Sequence, residues 1–170
     1  MNNKKSWSIG KILKEIIIFS VTLFFISTIL NYIRAPKLDS NKLPIIKTTL
    51  IDGSQFDSSR LSGKPLMINF WGTWCPVCRQ EASNIERVSK RYNVLTIAVN
   101  SGSDSEIKDW LKRESVNYPV LNDRGGKWAG QFRVNTFPTT FIYDSKGKLK
   151  FTESGYSTTA GLLARMKLAQ

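Results

Sequence analysis

The chain has 170 residues, with 25 Lys and Arg against 13 Asp and Glu and a formal charge of +12. Hydrophobic residues make up 41% and charged residues 22%, the proportions of a folded chain rather than a disordered or fibrous one. Histidine is absent and there are two cysteines, which excludes imidazole general bases, Ser-His-Asp machinery, imidazole-built zinc sites and a disulfide-dense scaffold.

The N-terminal part reads as a membrane segment. Ile16 to Ile33 is an uncharged run of eighteen positions, thirteen of them apolar. At ~1.5 Å rise per residue a helix of this length spans about 27 Å, close to the ~30 Å of a bilayer core. The run exceeds the roughly 7–15 residues of a signal-peptide core, and Ile33 and Pro36 around Ala35 make a poor cleavage site. Lys4, Lys5, Lys11 and Lys14 precede the run and favour a cytoplasmic N-terminus, although Arg34, Lys37, Lys42 and Lys47 follow it. The expected organisation is a cytoplasmic N-terminus at 1–15, a transmembrane anchor at 16–33, a tether at 34–46 and a folded domain at 47–170. The protein would then be a single-pass protein of the inner (cytoplasmic) membrane, with its C-terminal domain in the periplasm or outside the cell. Residues 35–170 still hold twenty basic against twelve acidic residues. These are scattered, with no run of four, and no nucleic-acid partner is expected.

Within the domain, Thr48–Ile51, the turn Asp52-Gly53-Ser54 and Gln55–Asp57 predict a hairpin. Leu66–Trp71 is a short, continuous apolar run with one Asn, as in a buried parallel strand. Pro76 to about Lys90 has helical spacing, with Ala82, Ile85 and Val88 on one face and Arg79, Glu86 and Arg87 outside it. Val94–Val99 predicts a second buried strand. Asp104 is the expected cap of a helix running to about Ser115, with Ile107, Trp110 and Leu111 inside. Tyr118–Leu121 predicts a short strand end. Thr139–Tyr143 and Lys148–Thr152 flank a turn at Asp144–Gly147, and a last helix covers Thr158–Leu168. Alternating strands and helices imply an α/β domain with a central mixed β-sheet flanked by helices.

The chemistry concentrates in Trp74-Cys75-Pro76-Val77-Cys78, at the junction of a buried strand and a helix. C-x-x-C in that setting reads as a redox motif. Pro76 suits the first helical position, where its missing N–H costs nothing. Cys75 then sits at the N-cap, where free N–H groups and the helix dipole favour a thiolate. Cys78, one turn on, can close a disulfide and release a substrate thiol. Other readings stay open here. A structural disulfide closing so short a loop would stabilise little. Two thiolates could also bind Cu(I), although a structural zinc site would need four ligands and this chain offers no further Cys or His. A non-catalytic, membrane-tethered interaction domain is the third class. A second element, Phe137-Pro138-Thr139-Thr140, directly precedes the strand TTFIY, and a cis Phe137–Pro138 bond would present backbone groups to an extended peptide.

FWGTWCPVC and FPTTFIYDSKGKL resemble the thioredoxin superfamily, and more narrowly its membrane-anchored TlpA/ResA-like thiol-disulfide oxidoreductases. VLTIAVNSGSDSEIKDWLKRESVNYPVLND, the segment from Trp128 to Phe132 and SGYSTTAGLLARMKLA resemble the suppressor-for-copper-sensitivity D (ScsD) type, over about residues 44–168. The resemblance implies a thioredoxin-like fold and an extracytoplasmic disulfide oxidoreductase, with a link to copper tolerance. It implies Cys75 as the exposed attacking cysteine, Cys78 as the resolving one, Pro138 as a cis-proline facing the disulfide and Trp74 as a surface aromatic beside it. Pro76, Val77, Phe137 and Thr139 are the further expected substrate contacts. No metal and no cofactor is expected beyond a redox-active Cys75–Cys78 disulfide. The implied partners are protein thiols and disulfides, with a membrane electron donor of the DsbD type, and the chain is expected to be a monomer. Thr139 stands where cytochrome c maturation thioredoxins often carry Glu, which argues against that role. Asn69 occupies the position of thioredoxin's buried acid, so Cys78 needs another base. Glu81 and Asp123 are the nearest carboxylates, expected as solvated surface charges. Val77 adds no charge or hydrogen bond between the cysteines, which points to a reducing role.

Overall fold

The computed structural model describes residues 9–34, 36–61 and 63–170, with the side chains at 9, 27, 30–32 and 34 outside that description. The chain divides into two units, Met1–Arg34 and Ala35–Gln170. The first contains helix α1, Ile9–Arg34, whose apolar residues are spread around its whole circumference. Its described apolar side chains, from Ile12 to Ile33, are exposed. Among the described residues, no helix is long and apolar enough to cross a membrane. The structure therefore does not establish the anchor expected at 16–33, a run whose side chains at 27 and 30–32 are outside the description. The expected cytoplasmic N-terminus likewise falls, for residues 1–8, outside the described residues.

The second unit is built on strands β3 (Leu66–Trp71), β4 (Asn93–Val99), β5 (Val120–Asp123), β6 (Thr139–Tyr143) and β7 (Leu149–Ser154). They form one sheet in the order β5-β4-β3-β6-β7, with β3, β4 and β5 parallel and β6 and β7 antiparallel to their neighbours. The continuous apolar runs follow from burial on both faces. Period-two alternation sends Met67, Trp71, Val94 and Ala98 to one face and Leu66, Ile68, Phe70, Leu95, Ile97 and Val99 to the other.

The first face is covered by α2 (Pro76–Ser89), α3 (Asp104–Arg113) and α5 (Thr159–Leu168) through Ala82, Ile85, Val88, Ile107, Trp110, Leu162 and Met166. Each of the larger aliphatic side chains contributes about 1.5–3 kcal/mol of transfer free energy. The second face is covered by the short α4 (Lys127–Gln131) and by the segment leading into the domain. That segment corrects the expected tether. Ile46 is fully buried, Leu38 and Leu43 pack on the core, and Lys42 bridges Lys148. The buried Ser58 hydroxyl receives the Ile46 N–H at 2.9 Å. The hairpin is β1 (Lys47–Thr49) against β2 (Gln55–Asp57), followed by a single 3-10 turn at Ser58–Leu61.

Helix α3 begins one residue earlier than expected. Ser103 is its N-cap, and the Glu106 side chain reaches back to the Ser103 N–H in a reciprocal capping box. The domain's two chain ends meet on the turn between β6 and β7. There the Leu43 N–H donates to the Gly147 carbonyl, the Leu149 N–H to the Asn41 carbonyl and the Ser145 N–H to the Ala169 carbonyl. This turn follows the end of β6 that pairs with the start of β3, so it lies at the pole opposite the Trp71 end of the sheet.

Candidate active site

β3 ends at Trp71, the chain turns through Gly72-Thr73-Trp74, and α2 starts at Pro76. Cys75 is the N-cap of α2 in extended conformation, and its sulfur accepts the Cys78 N–H at 3.1 Å. Pro76 fills the first position of the helix, as its fixed φ suits. Cys75 and Cys78 form a disulfide with their Cα atoms 5.3 Å apart. The sulfur that caps the helix is thus the one the helix N-terminus stabilises as an anion.

The expected exposure of Cys75 is corrected. It is 6% exposed and Cys78 3%, both within the cluster that contains Trp71, Ala82 and Trp110 and against which Phe137 packs. In the oxidised state the disulfide shows solvent only a sliver of its first sulfur's residue. The rim around it is apolar and open. Trp74 is 54% exposed, Val77 39% and Tyr156 53%. The Trp74 indole donates to the Val99 carbonyl at 3.1 Å and meets the Phe137 ring edge-to-face at 5.2 Å. A Cβ on Gly72 would come within 2.6 Å of that indole, so only glycine lets the ring lie flat on the chain there. Beside Trp74 runs an open groove of about 430 Å³ that also reaches Arg79, Glu106, Asp109 and Arg113.

The Phe137–Pro138 bond is cis. Pro138 is buried, and its carbonyl accepts the Gly155 N–H at 2.8 Å. Thr139 was expected to contact substrate; it is fully buried, its hydroxyl donating to the Thr136 carbonyl at 2.8 Å. It shapes the loop from inside instead.

The position of Glu81 overturns its expected surface location. It is 1% exposed on the inner face of α2, one turn beyond Cys78. Its carboxylate accepts the Ser157 N–H at 2.7 Å and the Asn69 side-chain amide at 3.3 Å. Asn69 also donates to the Thr140 hydroxyl at 2.9 Å. Burial pushes the Glu81 pKa up to about 7, against the pull of these donors. Asp123 is also buried, but it receives the Ala129 N–H and anchors α4. Burial, and then the nearby Glu81, push the Tyr118 phenol well above its ordinary value.

Reasoning from sequence missed Ser157, Tyr156 and Asn84 as neighbours of the site. For Glu81 the signal existed: it falls with Cys78, Ala82 and Ile85 on one helical stripe. Among the described residues, no group of three or more Cys, Asp or Glu is placed to hold a metal ion.

The family model described as AhpC/TSA matches residues 40–152. The chain belongs to the AhpC/TSA family. A thioredoxin-like protein of Haemophilus influenzae is 32% identical over 166 residues, covering 95% of this AhpC/TSA chain and 97% of that protein. The thiol-disulfide oxidoreductase ResA of Bacillus cereus is 31% identical over 110 residues, 62% of this chain and 64% of ResA. The crystal structure of the exposed lipoprotein thioredoxin Etrx1 of Streptococcus pneumoniae superposes with a TM-score of 0.64 at 27% identity, over 74% of this chain and 99% of that one. With a Cys75–Cys78 disulfide on this fold, this AhpC/TSA member is a thiol-disulfide oxidoreductase of the thioredoxin-like type.

Proposed function

We propose that the domain is a protein-disulfide reductase working outside the cytosol. The observation that carries this reading is the buried Glu81 carboxylate one turn beyond Cys78, with its pKa pushed up to about 7. A base of that strength supplies what Asn69 cannot, removal of the proton from the resolving thiol.

In the reduced protein, the Cys75 thiolate attacks one sulfur of a substrate disulfide. A Cys75–substrate bond forms, the substrate S–S bond breaks, and one substrate thiolate leaves and is protonated by water. The Glu81 carboxylate takes the Cys78 proton, and the Cys78 sulfur attacks that of Cys75. The mixed disulfide breaks, the second substrate thiolate leaves and takes up a proton, and two electrons have passed to the substrate. The chain ends as the Cys75–Cys78 disulfide and needs an external dithiol to reset it, a membrane carrier of the DsbD type in this reading. Trp74, Pro76, Val77 and Phe137 form the surface against which the substrate chain lies, next to Pro138.

The direction rests on what surrounds the Cys75 sulfur. The Cys78 N–H and the helix terminus favour its anion and so raise the potential, but Val77 adds no further charge or donor, which supports a potential below that of a strong oxidant. A helix apolar on every side finds a partner in lipid or in a protein core. The uncharged run in α1 therefore supports a membrane anchor, and the pneumococcal relative is an exposed lipoprotein.

The test uses the full-length chain. Cys75→Ser should abolish insulin reduction, while Cys78→Ser should accumulate a mixed disulfide with the substrate protein. Equilibration with glutathione should give a potential far more negative than about −120 mV, the value of a strong oxidant. A value near that figure, or tight Cu(I) binding without exchange, overturns the proposal.

A further inference from the structure

The loop between β7 and α5 borders the site. The Gly155 N–H is bound to the carbonyl of cis Pro138, and the Ser157 N–H to Glu81. What fixes this loop against α2 is Asn84, one turn beyond Glu81. Asn84 is 6% exposed. Its amide nitrogen donates to the Ser157 carbonyl at 2.9 Å and to the Tyr156 hydroxyl at 3.0 Å. Its oxygen accepts the Thr159 hydroxyl at 2.7 Å and an Arg87 guanidinium N–H at 3.3 Å. An Asn side chain has two donors and two acceptor lone pairs, and all four are engaged.

Glu81 and Asn84 are three residues apart on α2 and grip the two sides of one residue: Glu81 takes the Ser157 N–H and Asn84 takes its C=O. We propose that Asn84 is a positioning residue for the exchange reaction, clamping Ser157 so that its N–H stays on the Glu81 carboxylate beneath Cys78. The proposal rests on Glu81 acting as the base for Cys78 and extends it to the residue that holds the base in place.

Other groups near Glu81 do not explain its setting. Asn69, from β3, is uncharged, as are Thr140, to which Asn69 is bound, and Ser157. The titratable neighbours are the Tyr118 phenol, which stays protonated, and the two thiols once the disulfide is reduced. Arg87 reaches the Asn84 oxygen.

The test follows the Glu81 carboxyl by ¹³C NMR titration, alongside the pH–rate profile of insulin reduction, in full-length wild type, Asn84→Ala, Asn84→Asp and Glu81→Gln. Losing a donor to the Glu81 carboxylate should move its midpoint alkaline by about one to two pH units. Both Asn84 variants should show that shift in the titration and in the rate profile, while Cys75 still forms mixed disulfides. Asn84→Asp keeps the shape of the side chain but reverses its donors, so it reports if Asn84→Ala fails to fold. A lowered melting temperature with an unmoved midpoint makes Asn84 merely structural and overturns the proposal. So does a shift in Asn84→Asp alone with Asn84→Ala folded, because added charge then explains it. If the wild-type limb persists in Glu81→Gln, the reading of Glu81 itself fails, which is a distinct result.

Discussion

A carboxylate sealed in a protein interior changes both chemistry and stability, and Glu81 does so with opposite signs. As a base it must be ionised, so the Cys78-dependent step should accelerate as pH rises and level off above about 7. Glu81→Gln should remove that limb while leaving attack by Cys75 intact, as stopped-flow kinetics at several pH values will show. For stability, the folded-state pKa lies above the ordinary 4.5. Between these values the folded state holds a proton that the unfolded state has released. The carboxyl's contribution is therefore fully present below 4.5 and is lost as pH rises through 7, a change of roughly 3 kcal/mol. Urea midpoints of wild type should fall over this window and those of Glu81→Gln should stay level; parallel curves would show that Glu81 titrates normally. Much of the site could be read from the sequence, because Cys75, Pro76 and Cys78 declare themselves by type and spacing. The helical stripe puts Glu81 on the inner side of α2 but does not reveal its burial, because a carboxylate is almost never buried without partners and its donors come from residues 69 and 157. Such partners meet only after folding.

At the scale of the elements, strength of pattern decided what could be read. β3 and β6 match their expected limits and β4 begins one residue sooner, because continuous apolar runs leave no other reading. The short α4 left no trace: five residues make little more than one turn, and its anchor is the distant Asp123 carboxylate. At α3, Ser103 and Asp104 are both capping types, and the discriminating sign is Glu106, three residues after Ser103. Ser103→Ala should therefore lower domain stability by about 1 kcal/mol, and Asp104→Ala by less. Thermal melts of the two variants check the order; a larger loss from Asp104→Ala would return the cap to position 104. The same helix carries Trp110, whose ring lies 4.5 Å from that of Trp71 behind the disulfide. Unravelling its first turn would reach the site through that pair.

On the scale of the molecule, residues 35–170 carry the sheet, both core clusters and the redox pair. A chain starting at residue 35 should fold alone and reduce insulin at a rate close to that of the full chain. Circular dichroism and turnover measure this, and an unfolded product would show that α1 is needed for the core. The N- and C-terminal ends of this unit both rest on the turn at residues 144–148, a strand's length away from Cys75. That placement makes the domain easy to rewire. A linker or a solid support attached at Gln170 leaves the reactive sulfurs facing outward. Because Asn41 and Ala169 share this turn, a bridge joining the two ends would run on the side away from Cys75, and new termini could then be opened elsewhere without disturbing electron transfer.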